Sequence, residues 1–138
     1  MRVDKMTTRF QQALAEAQSL ALAQDNQLIE PVHLMASLLD QEASTVRQVV
    51  SKAGLDANRL RQELGRAVER LPKVQGAPGQ VGPSNDLVRL LNVTEKLATQ
   101  RGDAYIPSEL FVLAAVGDEG ELGRLLKAAG ARAKPIEQ

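Results

Sequence analysis

The stretch Leu28-Ile29-Glu30-Pro31-Val32-His33-Leu34-Met35-Ala36-Ser37-Leu38-Leu39 returns as Tyr105-Ile106-Pro107-Ser108-Glu109-Leu110-Phe111-Val112-Leu113-Ala114-Ala115-Val116. The same 77-residue step, carried backwards, sets Phe10 on Leu87, Leu14 on Leu91, Leu20 on Leu97 and Ala21 on Ala98. Carried forwards with one residue dropped, it sets Val49-Val50-Ser51-Lys52-Ala53-Gly54 against Leu125-Leu126-Lys127-Ala128-Ala129-Gly130. Identities are few, but apolar positions agree nearly throughout, which marks an internal duplication.

Helical spacing of the apolar residues makes each copy a set of helices. Helix one is expected over 8–24, with Thr7 as cap and Phe10, Ala13, Leu14, Ala17, Leu20 and Ala21 on one face. Pro31 opens helix two, which runs to Leu39; Ser44 or Thr45 caps helix three, which ends at Gly54; Asp56 caps helix four, carrying Leu60, Leu64, Ala67, Val68 and Leu71. In the second copy, helix five covers 85–100, helix six opens at Ser108, helix seven covers 121–129, and Pro135 begins an eighth. Residues 72–83, rich in Pro and Gly and without a period, read as the linker. The expected fold is therefore all-α: two pseudo-symmetric four-helix repeats, 1–71 and 84–138, in one domain, with about eight helices.

At 138 residues a chain buries roughly two thirds of its unfolded surface. Seventeen basic residues balance seventeen acidic ones, so no overall field draws the protein to nucleic acid or an anionic membrane. Only Phe10, Tyr105 and Phe111 are aromatic, too few for a base-stacking platform. Cysteine is absent, and the first residues lead straight into an amphipathic helix rather than a signal peptide. These features predict a soluble, cytoplasmic protein.

No phosphate loop, nucleophile elbow or His-Glu-x-x-His motif occurs, and His33 is the lone histidine. No enzyme chemistry, metal or cofactor is expected within this chain. His33 is read as a histidine hydrogen-bonded locally near the start of helix two.

Positions where one copy departs from the other are candidates for function. Glu16 becomes Val93, beside Leu97 one turn on; His33 becomes Leu110, and Val32 becomes Glu109. Val93, Leu97 and Leu110 either form a small apolar groove, with Asp103 and Glu109 supplying charge beside it, or pack between the repeats. Asp103 also suits a turn, and Glu109 a helix N-terminus.

The double repeat, its opening Met1-Arg2-Val3-Asp4-Lys5-Met6-Thr7, the run Phe10-Gln11-Gln12-Ala13-Leu14-Ala15-Glu16-Ala17, and the later stretches Arg101-Gly102-Asp103 and Ser108-Glu109-Leu110-Phe111 strongly resemble the Clp amino-terminal domain family. Within it the likeness is to bacterial disaggregases. The resemblance implies a mobile amino-terminal domain of a hexameric ATPase chaperone that extracts polypeptides from aggregates. ATP and magnesium then belong to AAA+ modules absent from this chain. Implied partners are unfolded or aggregated polypeptides, those modules and a cooperating chaperone system; an alternative is an adaptor-docking or regulatory module. The resemblance implies an exposed substrate groove at Val93, Leu97 and Leu110, with Thr7, Asp103 and Glu109 at matching polar positions. Val93 stands where leucine is usual, and Pro107 where a polar residue is.

Overall fold

A computed structural model describes residues 3–74 and 81–131. After a short 3-10 turn at Val3–Lys5 come α1 (Thr8–Ala23), β1 (Leu28–Ile29), α2 (Pro31–Asp40), α3 (Thr45–Lys52) and α4 (Ala57–Glu69). Then follow β2 (Gly82–Pro83), α5 (Asn85–Arg101), α6 (Ser108–Val116) and α7 (Glu121–Ala128). The helix expected from Pro135 and the middle of the expected linker, 75–80, lie outside the described residues.

Side-chain caps fix four helix starts. Thr7 Oγ1 accepts from the Phe10 amide at 3.3 Å, Ser44 Oγ from Arg47 at 3.1 Å, Asp56 Oδ1 from Asn58 and Arg59 at 3.0 and 3.2 Å, and Ser84 Oγ from Leu87 at 3.1 Å. Each satisfies amides that the first helical turn leaves without a partner. Helix α1 lays Phe10, Ala13, Ala17 and Ala21 into the core, and three alanines one turn apart let it lie close on α2. Helix α2 is buried from Pro31 to Leu39 because α1, α3, α4, α5 and α7 all pack on it. Phe10 and Phe111, one from each repeat, are fully buried with ring centroids 6.2 Å apart. The apolar core is thus continuous across the duplication.

The strands are a departure from the all-helical expectation. β1 pairs in parallel with β2, Ile29 opposite Pro83, and an isolated parallel bridge joins Met6 to Ile106. These pairings are one contact made twice: the 77-residue step carries Met6 onto Pro83 and Ile29 onto Ile106. The hydrogen bonds match as well, Thr7 N–H to Ile106 O at 3.1 Å and Ser84 N–H to Ile29 O at 2.9 Å. Each repeat therefore clasps the other just ahead of its own first helix. Pairs of two residues are too short to show a period of two, and their bonds are backbone bonds, so the sequence carries no signal for them.

Ser84 serves the clasp with its backbone and α5 with its hydroxyl, and it is buried. Ser84→Ala should lower stability by about 1 kcal/mol, the ordinary worth of a cap, read as a lower urea midpoint with an unchanged slope.

Turn chemistry follows the duplication too. Gly102 (φ 74°) ends α5 in the left-handed conformation, and its counterpart Asp25 adopts φ 55°. The Asp103 and Asn26 amides then donate to equivalent carbonyls, Ala98 O at 3.0 Å and Ala21 O at 2.9 Å.

Candidate functional site

The six residues singled out in the sequence fall around the start of α6 and the outer side of α5. Val93 is 41% exposed, Leu97 is half-buried against the core, and Leu110 is buried at 5% exposure. The open aliphatic surface at this corner is therefore Val93 with part of Leu97, and Leu110 contributes to the core beneath. Thr7 is held there by the clasp: its hydroxyl caps α1, and its N–H donates to Ile106, three residues before Glu109. Glu109 is half-buried in the first turn of α6, where a carboxylate interacts favourably with the helix dipole. Asp103 is exposed just after the left-handed turn at Gly102.

Val93 opens onto a shallow surface of about 440 Å³ along α5, lined by Asn85, Val88, Arg89, Asn92 and Lys96. Arg89 is committed to structure, since it donates to Asp86 at 2.7 Å and to both carboxylate oxygens of Asp118 at 3.0 and 3.1 Å. Burial pushes the Asp118 carboxyl up, but Arg89 and the Gly120 amide outweigh it and hold the group below its usual range. The net effect ties the start of α5 to the loop before α7.

His33 lies fully buried, with Nδ1 accepting from the Glu30 amide at 2.8 Å and Nε2 2.7 Å from Asn26 Oδ1. An acceptor at Nδ1 puts the proton on Nε2, so the ring is neutral; burial pushes its pKa down to about 4. Asn26 passes the connection to the start of the linker, donating to Pro72 O at 3.3 Å, and Lys73 donates to Gln24 O at 2.9 Å. The departure of Leu110 from His33 now has a structural cause. Glu30 has an amide that needs an acceptor, whereas its counterpart Pro107 has none, so the second repeat needs no imidazole.

Val88, 42% exposed, was not among the sequence candidates. The signal that exposes it is the one that picked out Val93: its counterpart in the first repeat is polar, Gln11. Among the described residues no group of histidines and acids could hold a metal ion, and no helix is long and apolar enough to cross a membrane.

With this geometry in place, comparison with known proteins is specific. Residues 5–129 match the Clp repeat (R) N-terminal domain family. All 138 residues align with the chaperone protein ClpB of Vibrio cholerae at 48% identity, and 99% of the chain aligns with that of Pseudomonas putida at 44%. The chain spans only 16% of the length of either relative. Among solved structures, the Hsp104 N-terminal domain of Candida albicans superposes with a TM-score of 0.84 at 21% identity, covering 96% of this chain and 87% of that one.

Proposed function

The chain belongs to the Clp repeat N-terminal domain family, and from that premise we propose that it is the non-catalytic recruiting domain of a cytoplasmic, ATP-dependent protein disaggregase. It binds exposed apolar segments of unfolded or aggregated polypeptides weakly and passes them to AAA+ modules of a longer, hexameric protein. ATP and magnesium act in those modules, and a cooperating chaperone system works on the same clients. The observation that supports the reading most directly is the aliphatic surface made by exposed Val93 and the open part of half-buried Leu97, on a helix whose opposite side is buried. Thr7, Asp103 and Glu109 are assigned to its polar rim.

Such a surface is small. At roughly 25 cal/mol per Å² of apolar area, less the entropy of ordering a peptide, it gives dissociation constants on the order of 10 µM to 1 mM. Weak sites suit transfer, because six copies on a ring hold a client by avidity while each lets go easily.

The test is a ¹⁵N NMR titration of the 138-residue chain with reduced, alkylated lysozyme, with native lysozyme as control. Shifts around Val93 and Leu97 with the unfolded form alone, weakened at least tenfold by Val93→Glu, are the expected result. An adaptor-docking domain would instead ignore unfolded chains and hold one folded partner, and that outcome would overturn recruitment.

A further inference from the structure

Lys96 lines the same shallow surface as Val93 and stands where the first repeat has Ser19. Like Val93, which replaces Glu16, it is a departure of the second repeat from the first. Its side chain is exposed, and its neighbours one turn away on α5, Asn92, Val93, Thr99 and Gln100, are all uncharged, so no ion pair forms along the helix. Among the described residues it has no ion-pair partner elsewhere either. Arg89, on the same surface, differs: Asp86 and Asp118 take up its guanidinium. Of the residues lining this surface, Lys96 is the cation left open.

We propose that Lys96 is a specificity-determining residue of the recruiting surface: an aliphatic segment with an acidic residue beside its apolar run is held more tightly than the same segment without one. This rests on reading the domain as a collector of apolar segments, and it names the client chemistry that the surface favours. The position of the side chain carries the argument. At about 100° per residue, Lys96 lies about 60° from Val93 around α5, away from the buried side, while Leu97 lies about 40° the other way, towards it. An apolar run covering Val93 and Leu97 therefore ends beside Lys96 and leaves the ammonium at the rim.

Chemistry then selects the sign. A lysine lays its stem along apolar surface and keeps its charged head in water, and a client seated on Val93 supplies that surface. A carboxylate at the edge of the client meets an ammonium with three donors and no competing acid one turn away. The covering segment also displaces water, which strengthens the attraction; a basic residue in the same place meets like charge. Asn85 and Asn92, the other polar lining residues, are neutral and do not discriminate by sign. Because the pair stays exposed, its effect is a factor of about two to five in affinity. Apolar contact decides whether a segment binds, and Lys96 ranks the segments that do.

The probes are three acetylated, amidated peptides titrated into the ¹⁵N-labelled chain at low salt: Ser-Gln-Leu-Val-Leu-Gln-Ser, Ser-Glu-Leu-Val-Leu-Gln-Ser and Ser-Gln-Leu-Val-Leu-Glu-Ser. Two placements of Glu are used because a segment can cross α5 in either direction. At least one Glu peptide should bind about two- to fivefold more tightly than the neutral one, with shifts at the amides of Val93, Lys96 and Leu97. Lys96→Gln should cancel the difference and Lys96→Glu reverse it. Lys52→Glu, the same change of net charge at an exposed position of α3, should leave it in place. Salt at about 1 M should cancel the preference without weakening the neutral peptide. Equal binding of all three peptides, or a preference that survives Lys96→Gln, would overturn the role of Lys96 and leave recruitment standing. No response to any peptide would overturn it too, and recruitment would then stand or fall with unfolded lysozyme.

Discussion

Lowering the pH from 7 to 4 is expected to remove about 3 kcal/mol of folding stability through His33 alone. Burial depresses its pKa from 6.5 to about 4, and each unit between folded and unfolded values corresponds to about 1.4 kcal/mol. The sign follows from which state takes up the proton. Below pH 6.5 the unfolded chain protonates this imidazole while the folded chain still excludes the charge, so the equilibrium shifts towards unfolding until the folded pKa is passed near 4. Above 6.5 the group contributes no pH dependence.

The measurement is urea unfolding at pH 7, 5.5 and 4 for the natural chain and for His33→Gln. The natural chain should lose about 3 kcal/mol more than the variant over that range. Equal slopes would mean that the buried ring titrates normally.

The same network gives the repair that distinguishes a hydrogen-bonding role from simple packing. His33→Leu copies the second repeat but leaves the Glu30 amide and the Asn26 carbonyl oxygen without their partner, at about 1–3 kcal/mol each for a buried group. Adding Glu30→Pro removes the orphaned amide, as Pro107 does in the second repeat. Part of the loss should return, less some strain, because Glu30 sits at φ −98° while Pro107 adopts −82°.

The helices and the duplication were legible because burial imposes a 3.6-residue period on whatever must face a core, and because Thr7, Ser44 and Asp56 cap by local chemistry. The clasps were not legible, being backbone contacts between segments far apart in the chain. The repeat comparison picked out Val93 and His33 as departures, on the inference that shared apolar positions are mostly packing. Leu14 shows the flaw in that inference: it shares the stripe of Leu91, yet it is only half-buried and lines a groove. Whether two like faces meet or stand apart depends on the distance between α1 and α5, which the clasps set and no periodicity records.

Gly123→Ala should destabilise the domain by about 3 kcal/mol, although helix propensity alone predicts a gain of up to about 1 kcal/mol. Gly123 lies within α7, and a Cβ there would overlap the Asp118 carbonyl oxygen outright and come within 2.8 Å of Ala115 O. Both obstacles are backbone. Asp118 has little room to give, because Arg89 grips its carboxylate and its side chain also accepts from the Gly120 amide at 2.9 Å. The added methyl must therefore push α7 off α6 and part Leu122 and Leu126 from the core, a cost at or above the usual range for overpacking.

The first repeat shows why the position is special. Its counterpart is Arg47 on α3, whose guanidinium spans to Leu39 O at 3.1 Å. The loops before α3 and α7 are both four residues long, but α6 has 9 residues where α2 has 10, and the approach of the chain at Gly123 leaves space for hydrogen alone. Gly65 in α4 supplies the control, since nothing lies within 4 Å of a Cβ built there. Gly65→Ala should raise stability by about 0.5–1 kcal/mol through the unfolded state. Opposite signs for the two substitutions in urea unfolding are the expected result; a gain at both would mean that α7 is free to shift on α6.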